Sequence, residues 1–198
     1  MNYYSRMRFA HNLLPQLTAA STDSNSISRV VSVLAGGREG QMIEDDLELK
    51  SHFSLANAAN HATTMNSFAA EELAKRNPAT SFVHIFPGFV NTNFLSGHSA
   101  WMSALNTVTL ALLKPWVVPI PESGERHLYA ATSPKFAPRS LGDSSAALGS
   151  DGVAGSGAYI LNWDDEIAGK AKLLAKMREQ GLGQKVWDHT QDVFKRAV

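Results

Sequence analysis

Two short β-branched runs, each closed by glycine and separated by a long alanine-rich stretch, constrain the fold of this chain most. Arg29-Val30-Val31-Ser32-Val33-Leu34 ends at Ala35-Gly36-Gly37, and Ser81-Phe82-Val83-His84-Ile85-Phe86 ends at Pro87-Gly88. Such runs are continuous rather than alternating, which fits strands buried on both faces of a parallel sheet. Between them, residues 54–75 place Leu55, Ala58, Ala62, Met65, Ala69 and Leu73 near one helical face, and Asn77-Pro78 stops the pattern. A strand–helix–strand unit of this kind implies parallel strands joined by a right-handed crossover.

The flanking segments extend the same alternation. Met7, Leu13, Leu14 and Leu17 recur at helical spacing over residues 2–17, with Pro15 near the end, and the polar run TAASTDSNS reads as a loop. Helices are expected over residues 99–113, 124–132 and 183–197, and a third strand over residues 158–161. Residues 140–157, SLGDSSAALGSDGVAGSG, read as a flexible Gly/Ser-rich loop. The fold class is therefore α/β: one domain over residues 1–198, with a three-stranded parallel sheet and flanking helices, half of a doubly wound sheet. In that arrangement the edge of strand 29–34 is unpaired.

Composition removes several function classes. Lys+Arg and Asp+Glu both number 18, so the chain has no electrostatic footprint for nucleic acid or an anionic surface. Without cysteine there is no disulfide, thiolate catalysis or Cys-based zinc site. Tyr3, Tyr4, Arg6 and Arg8 break any signal-peptide pattern, and the longest apolar stretch, residues 101–113, is too short and polar to span a membrane. Together these fit a cytoplasmic protein. The seven histidines lack H-x-x-x-H or H-E-x-x-H spacing, so no metal site is expected.

Order and spacing together resemble the second half of a short-chain dehydrogenase/reductase. Asn2, thirteen residues before Pro15 of Leu13-Leu14-Pro15, matches that family's helix-borne catalytic Asn. Residues 29–37 resemble its fifth strand, and Phe53-Ser54-Leu55-Ala56-Asn57 occupies the place of its Tyr-x-x-x-Lys segment. Pro87-Gly88-Phe89-Val90-Asn91-Thr92 resembles the "PG-x-V-x-T" segment, which makes Pro87, Gly88, Val90 and Thr92 the cofactor-binding candidates. The wording SRVVSVLAGGREG, HATTMNSF, GERHLYAATS and VWDHT is similar to a fungal branch found among specialised-metabolite genes. The resemblance implies the C-terminal half of a Rossmann-like domain, N-terminally truncated, without the dinucleotide-binding half.

It also implies NAD(P)-linked alcohol/ketone chemistry, with departures at the catalytic positions. Phe53 stands at the Tyr position and has no titratable proton. Asn57 stands at the Lys position without charge, and Ala35, or Leu34 with a one-residue slip, stands at the Ser position. Asn2 alone is retained. The phosphate-cradling G-x-x-x-G-x-G turn is absent, so NAD(P) binding by the chain alone is not expected. His52, beside Phe53, and His61, four residues after Asn57, are alternative acids, or else packing and solvated residues. Tyr3 and Tyr4 either supply a phenol or pack a helix. Glu44-Asp45-Asp46 reads as a helix-capping patch or a cation site, and Trp101, Trp116 and Trp163 as pocket lining or core. By resemblance, helices 2–17 and 54–75 form a homodimer or complementing-partner interface. Two functions are carried forward: a reductase-type oxidoreductase, and a non-catalytic pseudoenzyme or partner-binding module. An isomerase or cyclase using pocket shape alone stands third.

Overall fold

The computed structural model describes residues 2–23, 27–90 and 117–197. In chain order the elements are α1 (Tyr4–Ala20), β1 (Arg29–Val33), α2 (Leu55–Arg76), β2 (Ser81–Ile85), β3 (Phe89–Val90), β4 (Val117–Val118), α3 (Ile120–Thr132), β5 (Ala158–Leu161), α4 (Ala171–Glu179) and α5 (Leu182–Arg196). The expected helix over residues 99–113 lies outside the described residues, as do Thr92, Trp101 and Trp116.

The main sheet runs β1-β2-β5, and both pairings are parallel. Val31 lies opposite Val83, and Val83 opposite Tyr159. β2 is central and buried at every position, because both of its faces are covered. Phe82, Ala158 and Ile160 join a core with α1, α2, α4 and α5. Val83, Ile85, Tyr159 and Leu161 point the other way, into a smaller core with Ala130 of α3 and Phe136. The chain is thus a helix–sheet–helix sandwich, with successive β2 residues feeding opposite layers.

β1 departs from expectation. It is only half-buried at all five positions, where its sequence implied burial on both faces. The cause is its place in the sheet: among the described residues it pairs with β2 alone, and its outer edge is open.

Helix boundaries also differ in instructive ways. The segment expected over residues 2–17 is helical from Tyr4 to Ala20, so Asn2 sits in the preceding turn with its side chain exposed. Pro15 lies inside the helix instead of ending it; proline deletes one backbone donor, and the helix continues for five residues. In its last turn Leu17 O accepts the C-cap Ser21 N–H at 3.0 Å and, from another segment, Ser28 Oγ at 2.8 Å. α2 begins where its cap dictates: Ser54 Oγ accepts the Asn57 N–H at 3.0 Å. α3 starts at Ile120, four residues before the expected Gly124, because Pro121 fits the first helical turn without losing a bond.

The C-terminal region holds two helices where one was expected. α4 was not foreseen, and α5 lies along α2 with Leu182, Val186, Thr190 and Phe194 buried at four-residue spacing. Tyr3 and Tyr4 reach α5 from α1, bonding Thr190 Oγ1 at 2.7 Å and His189 Nε2 at 2.8 Å. Of the two helices expected at an interface, α2 packs against α5 within the chain, whereas in α1 only Met7 and Ala10 are buried. Residues 63–74 of α2 are buried, and what α1 leaves open is the side bearing Phe9 and Leu13, 73% and 50% exposed. Residues 140–157 form irregular turns tied by Gly149 N–H to Val153 O (2.9 Å) and Gly155 N–H to Ala147 O (3.0 Å). No described helix is long and apolar enough to cross a membrane.

Candidate functional site

In open parallel sheets ligands bind beyond the carboxyl ends of the strands. Here that edge is built by the loops after β1, β2 and β5, the two-residue parallel pair β3–β4, and the start of α3. The loop after β1 is drawn tightly over β2. Leu34 N–H donates to Ile85 O at 2.9 Å, and a Cβ on Gly36 would stand 2.4 Å from His84 O. Only glycine fits there.

A buried polar chain fixes this loop. Ser67 Oγ on α2 donates to Glu39 Oε1 at 2.9 Å and lies 2.9 Å from His84 Nδ1. Having given its one proton to Glu39, Ser67 accepts from His84 Nδ1–H; this leaves His84 Nε2 to accept the Ala35 N–H at 3.4 Å. Glu39 also accepts the N–H of Gly37 (3.0 Å) and of Lys170 (3.3 Å). Burial pushes the His84 imidazole down to about 3, so it is neutral, with the Arg6 charge acting in the same direction. A serine, a histidine and a carboxylate invite a hydrolytic reading, but the geometry refuses it. The serine sits between acid and imidazole, its proton is committed, and all three residues are fully buried. This is a brace for the loop, absent from the sequence reading; a polar His inside an apolar strand run was its one visible signal.

Of the resemblance-based catalytic positions, Ala35 is half-buried at the end of β1 and offers only its backbone. Phe53 is 69% exposed in the irregular segment before α2. Asn57 turns back to its own helix start, its Nδ2 donating to His52 O at 2.8 Å. Asn2 is connected through its carbonyl, which accepts from Asn66 Nδ2 at 3.2 Å.

The alternative acids both have partners. His52 Nδ1 lies 3.0 Å from Asp46 Oδ2, and His61 Nε2 accepts the Ile43 N–H at 2.8 Å. Burial lowers the His61 pKa. Tyr3 and Tyr4 bond α5 as described, and burial raises both phenols, Tyr4 to about 12. Asp46 does not cap a helix: it accepts the N–H groups of Lys50, Ser51 and His52 at 2.7–2.9 Å and organises a turn. Glu44 and Asp45 face Lys185 of α5. Among the described residues no three His, Asp or Glu side chains gather as a metal site.

The Pro87-Gly88 segment does reach a concave surface. A cavity of about 550 Å³ is lined by Pro87, Gly88 and Val90 together with Val33, Ser123 and His127. Gly88 has φ +78°, and a Cβ on it would stand 2.9 Å from Val118 Cγ2, so the turn requires glycine. On its other side Gly88 borders a second cavity of about 390 Å³ with Arg38, Phe86, Phe89 and Trp163. Trp163 thus lines a pocket, as one of its two readings held. Behind it Asp165, at φ +61°, holds a buried carboxyl whose Oδ1 has no partner among the described residues. Burial pushes Asp165 up to about 6, against the pull of Arg126 and His127.

No protein-family model matches the chain. An oxidoreductase of Emericella nidulans is 43% identical over the whole chain and 61% of its own length. Oxidoreductase andH of Emericella variicolor is 36% identical, covering 98% of this chain and 59% of its own. A short-chain dehydrogenase/reductase of Stachybotrys chartarum is 32% identical, covering 95% and 55%. A solved NADPH-bound carbonyl reductase from chicken fatty liver aligns at 14% identity with a TM-score of 0.48, over 85% of this chain and 54% of that one. The chain spans about three fifths of the length of the first relatives it matches.

Proposed function

Because this chain belongs with these fungal oxidoreductases in the short-chain dehydrogenase/reductase family, we propose that it forms the substrate side of an NAD(P)-linked alcohol/ketone oxidoreductase of fungal secondary metabolism, cytoplasmic and impaired on its own. Relatedness along the entire chain carries this reading. The Pro87-Gly88-Val90 cavity supports it, since a flat ring fits beside a glycine that a larger residue would displace. When bound, the nicotinamide gives or takes the hydride. The chain's own part is to hold the carbonyl-bearing molecule at the sheet's carboxyl edge and keep water out.

The proton is the weak point of this reading. Phe53 has no acidic hydrogen and Asn57 no charge, so the positions that serve the family's proton transfer are silent here. These two residues favour the second reading, a non-catalytic pseudoenzyme or partner-binding module. Calorimetric titration of NADPH into the purified chain tests the cofactor part. No measurable binding is expected, because most dinucleotide affinity comes from phosphates at a glycine-rich helix start. Micromolar binding would reveal a phosphate site not described above and would overturn the expectation that the chain alone cannot hold the cofactor.

A further inference from the structure

The 390 Å³ cavity beside Gly88 has walls that the alcohol/ketone reading does not use. Three of its lining residues are aromatic: Phe86 and Phe89 meet edge-on at 6.0 Å, and Trp163 lies next to Gly88. Flat walls around a space of this size select a planar ligand. Two guanidinium groups stand on those rings, with Arg38 3.2 Å above Phe86 and Arg126 4.6 Å from Trp163.

The two arginines differ in charge balance. Glu122, one turn earlier on α3, lines the cavity, and its carboxylate is paired with Arg126, so together they contribute no net charge. Arg38 has no acidic side chain at ion-pair distance among the described residues; its one bond is from Nη1 to Gly36 O at 3.3 Å. The neighbouring Glu39 turns away and spends its oxygens on Ser67, Gly37 and Lys170. Arg38 is held in place by its ring stack and by the braced loop, yet it keeps donors free at the cavity mouth. A guanidinium presents a planar fork that matches a carboxylate.

We infer that this cavity binds a planar aromatic carboxylate, with the ring between Phe86, Phe89 and Trp163 and the acid group on Arg38. The inference names a substrate class for the proposed site and rests on reading the strands' carboxyl edge as the ligand edge. It makes Arg38 a specificity-determining residue.

The probes are 2-naphthoate and its uncharged isostere 2-naphthamide, titrated calorimetrically into the purified full chain without nicotinamide cofactor. The acid is expected to bind at least ten-fold tighter than the amide. In Arg38→Gln that preference is expected to vanish while the amide's affinity stays within two-fold. In Trp163→Leu both probes are expected to weaken. Equal binding of acid and amide overturns the inference, as does binding of neither, or a preference that survives Arg38→Gln. The acid–amide comparison uses the unaltered protein, so it stands even if a variant fails to fold. No redox step enters, so the acid–amide comparison reads the cavity alone, and its outcome is separate from that of the NADPH titration that tests the oxidoreductase reading.

Discussion

His84 shows how a single residue ties stability to pH. The fold holds its imidazole neutral and down at about 3, against an ordinary value of 6.5. A depressed histidine pKa means that the unfolded chain binds the extra proton between those values. The contribution is therefore complete above about pH 6.5 and is lost as pH falls toward 3, at about 1.4 kcal/mol per pH unit for one proton. Urea unfolding of the native chain and of His84→Asn at pH 7.5 and 5 checks this. The native chain should lose more stability, by about one proton's worth; equal losses would mean His84 titrates normally. Ser67→Ala tests the same brace at neutral pH. It leaves Glu39 and His84 each short of a buried partner, for a loss of about 1–3 kcal/mol. None of this was legible from spacing, because Glu39, Ser67 and His84 come from three different segments. What was legible is chemical identity: that Phe53 and Asn57 lack a proton and a charge follows from their names, and no fold can alter it. Their placement shows how tolerant the position is. The double change Phe53→Tyr with Asn57→Lys should change the unfolding free energy from urea denaturation by no more than about 0.5 kcal/mol, because Phe53 is exposed and Asn57 bonds only local backbone.

At the scale of elements, the sequence was readable wherever one element answers to its own pattern. The parallel β1-β2-β5 order, and α2 from its Ser54 cap to Asn77-Pro78, follow from continuous apolar runs, periodicity and breakers. Reading failed where a distant partner decides. Pro15 does not end α1, which runs on to Ala20, and Ser28 from another segment bonds its last turn at Leu17 O. α4 carries three basic residues within nine and little pattern, and it is held from outside. Arg178 on α4 grips Glu71 of α2 with both arms, at 2.9 and 3.0 Å, and reaches Ser150 O in the 140–157 segment. Glu71 is nearly inaccessible, so removing its cation strands a buried carboxylate. Arg178→Met should cost about 3 kcal/mol by urea denaturation, and Glu71→Gln with Arg178→Met less than the sum of the two single changes. Additive losses would show that α4 docks by packing alone.

For the whole molecule, the decisive fact is what remains uncovered. α5 covers much of α2 and is bonded by Tyr3 and Tyr4 at the start of α1, which leaves most of α1 exposed or half-buried. Among the described residues the opposite flank has no such cover. β1 presents an unpaired edge among the described residues, and a groove of about 340 Å³ runs between it and α1, lined by Phe9, Leu13, Leu17, Val30 and Phe82. Unpaired edges beside apolar surface associate, and here no charged residue between Val30 and Val33 blunts the edge. The purified chain is therefore expected to self-associate through β1 and α1. Sedimentation velocity over a hundred-fold concentration range should show a rising average mass. Phe9→Lys with Leu13→Glu adds opposite charges on an exposed flank, where the fold tolerates them, and should return the chain to monomer with an unchanged circular dichroism spectrum. A native chain that stays monomeric at the highest concentration would show that this edge is protected. Mass that persists in the double variant would place the contact elsewhere, with α5 the first surface to examine.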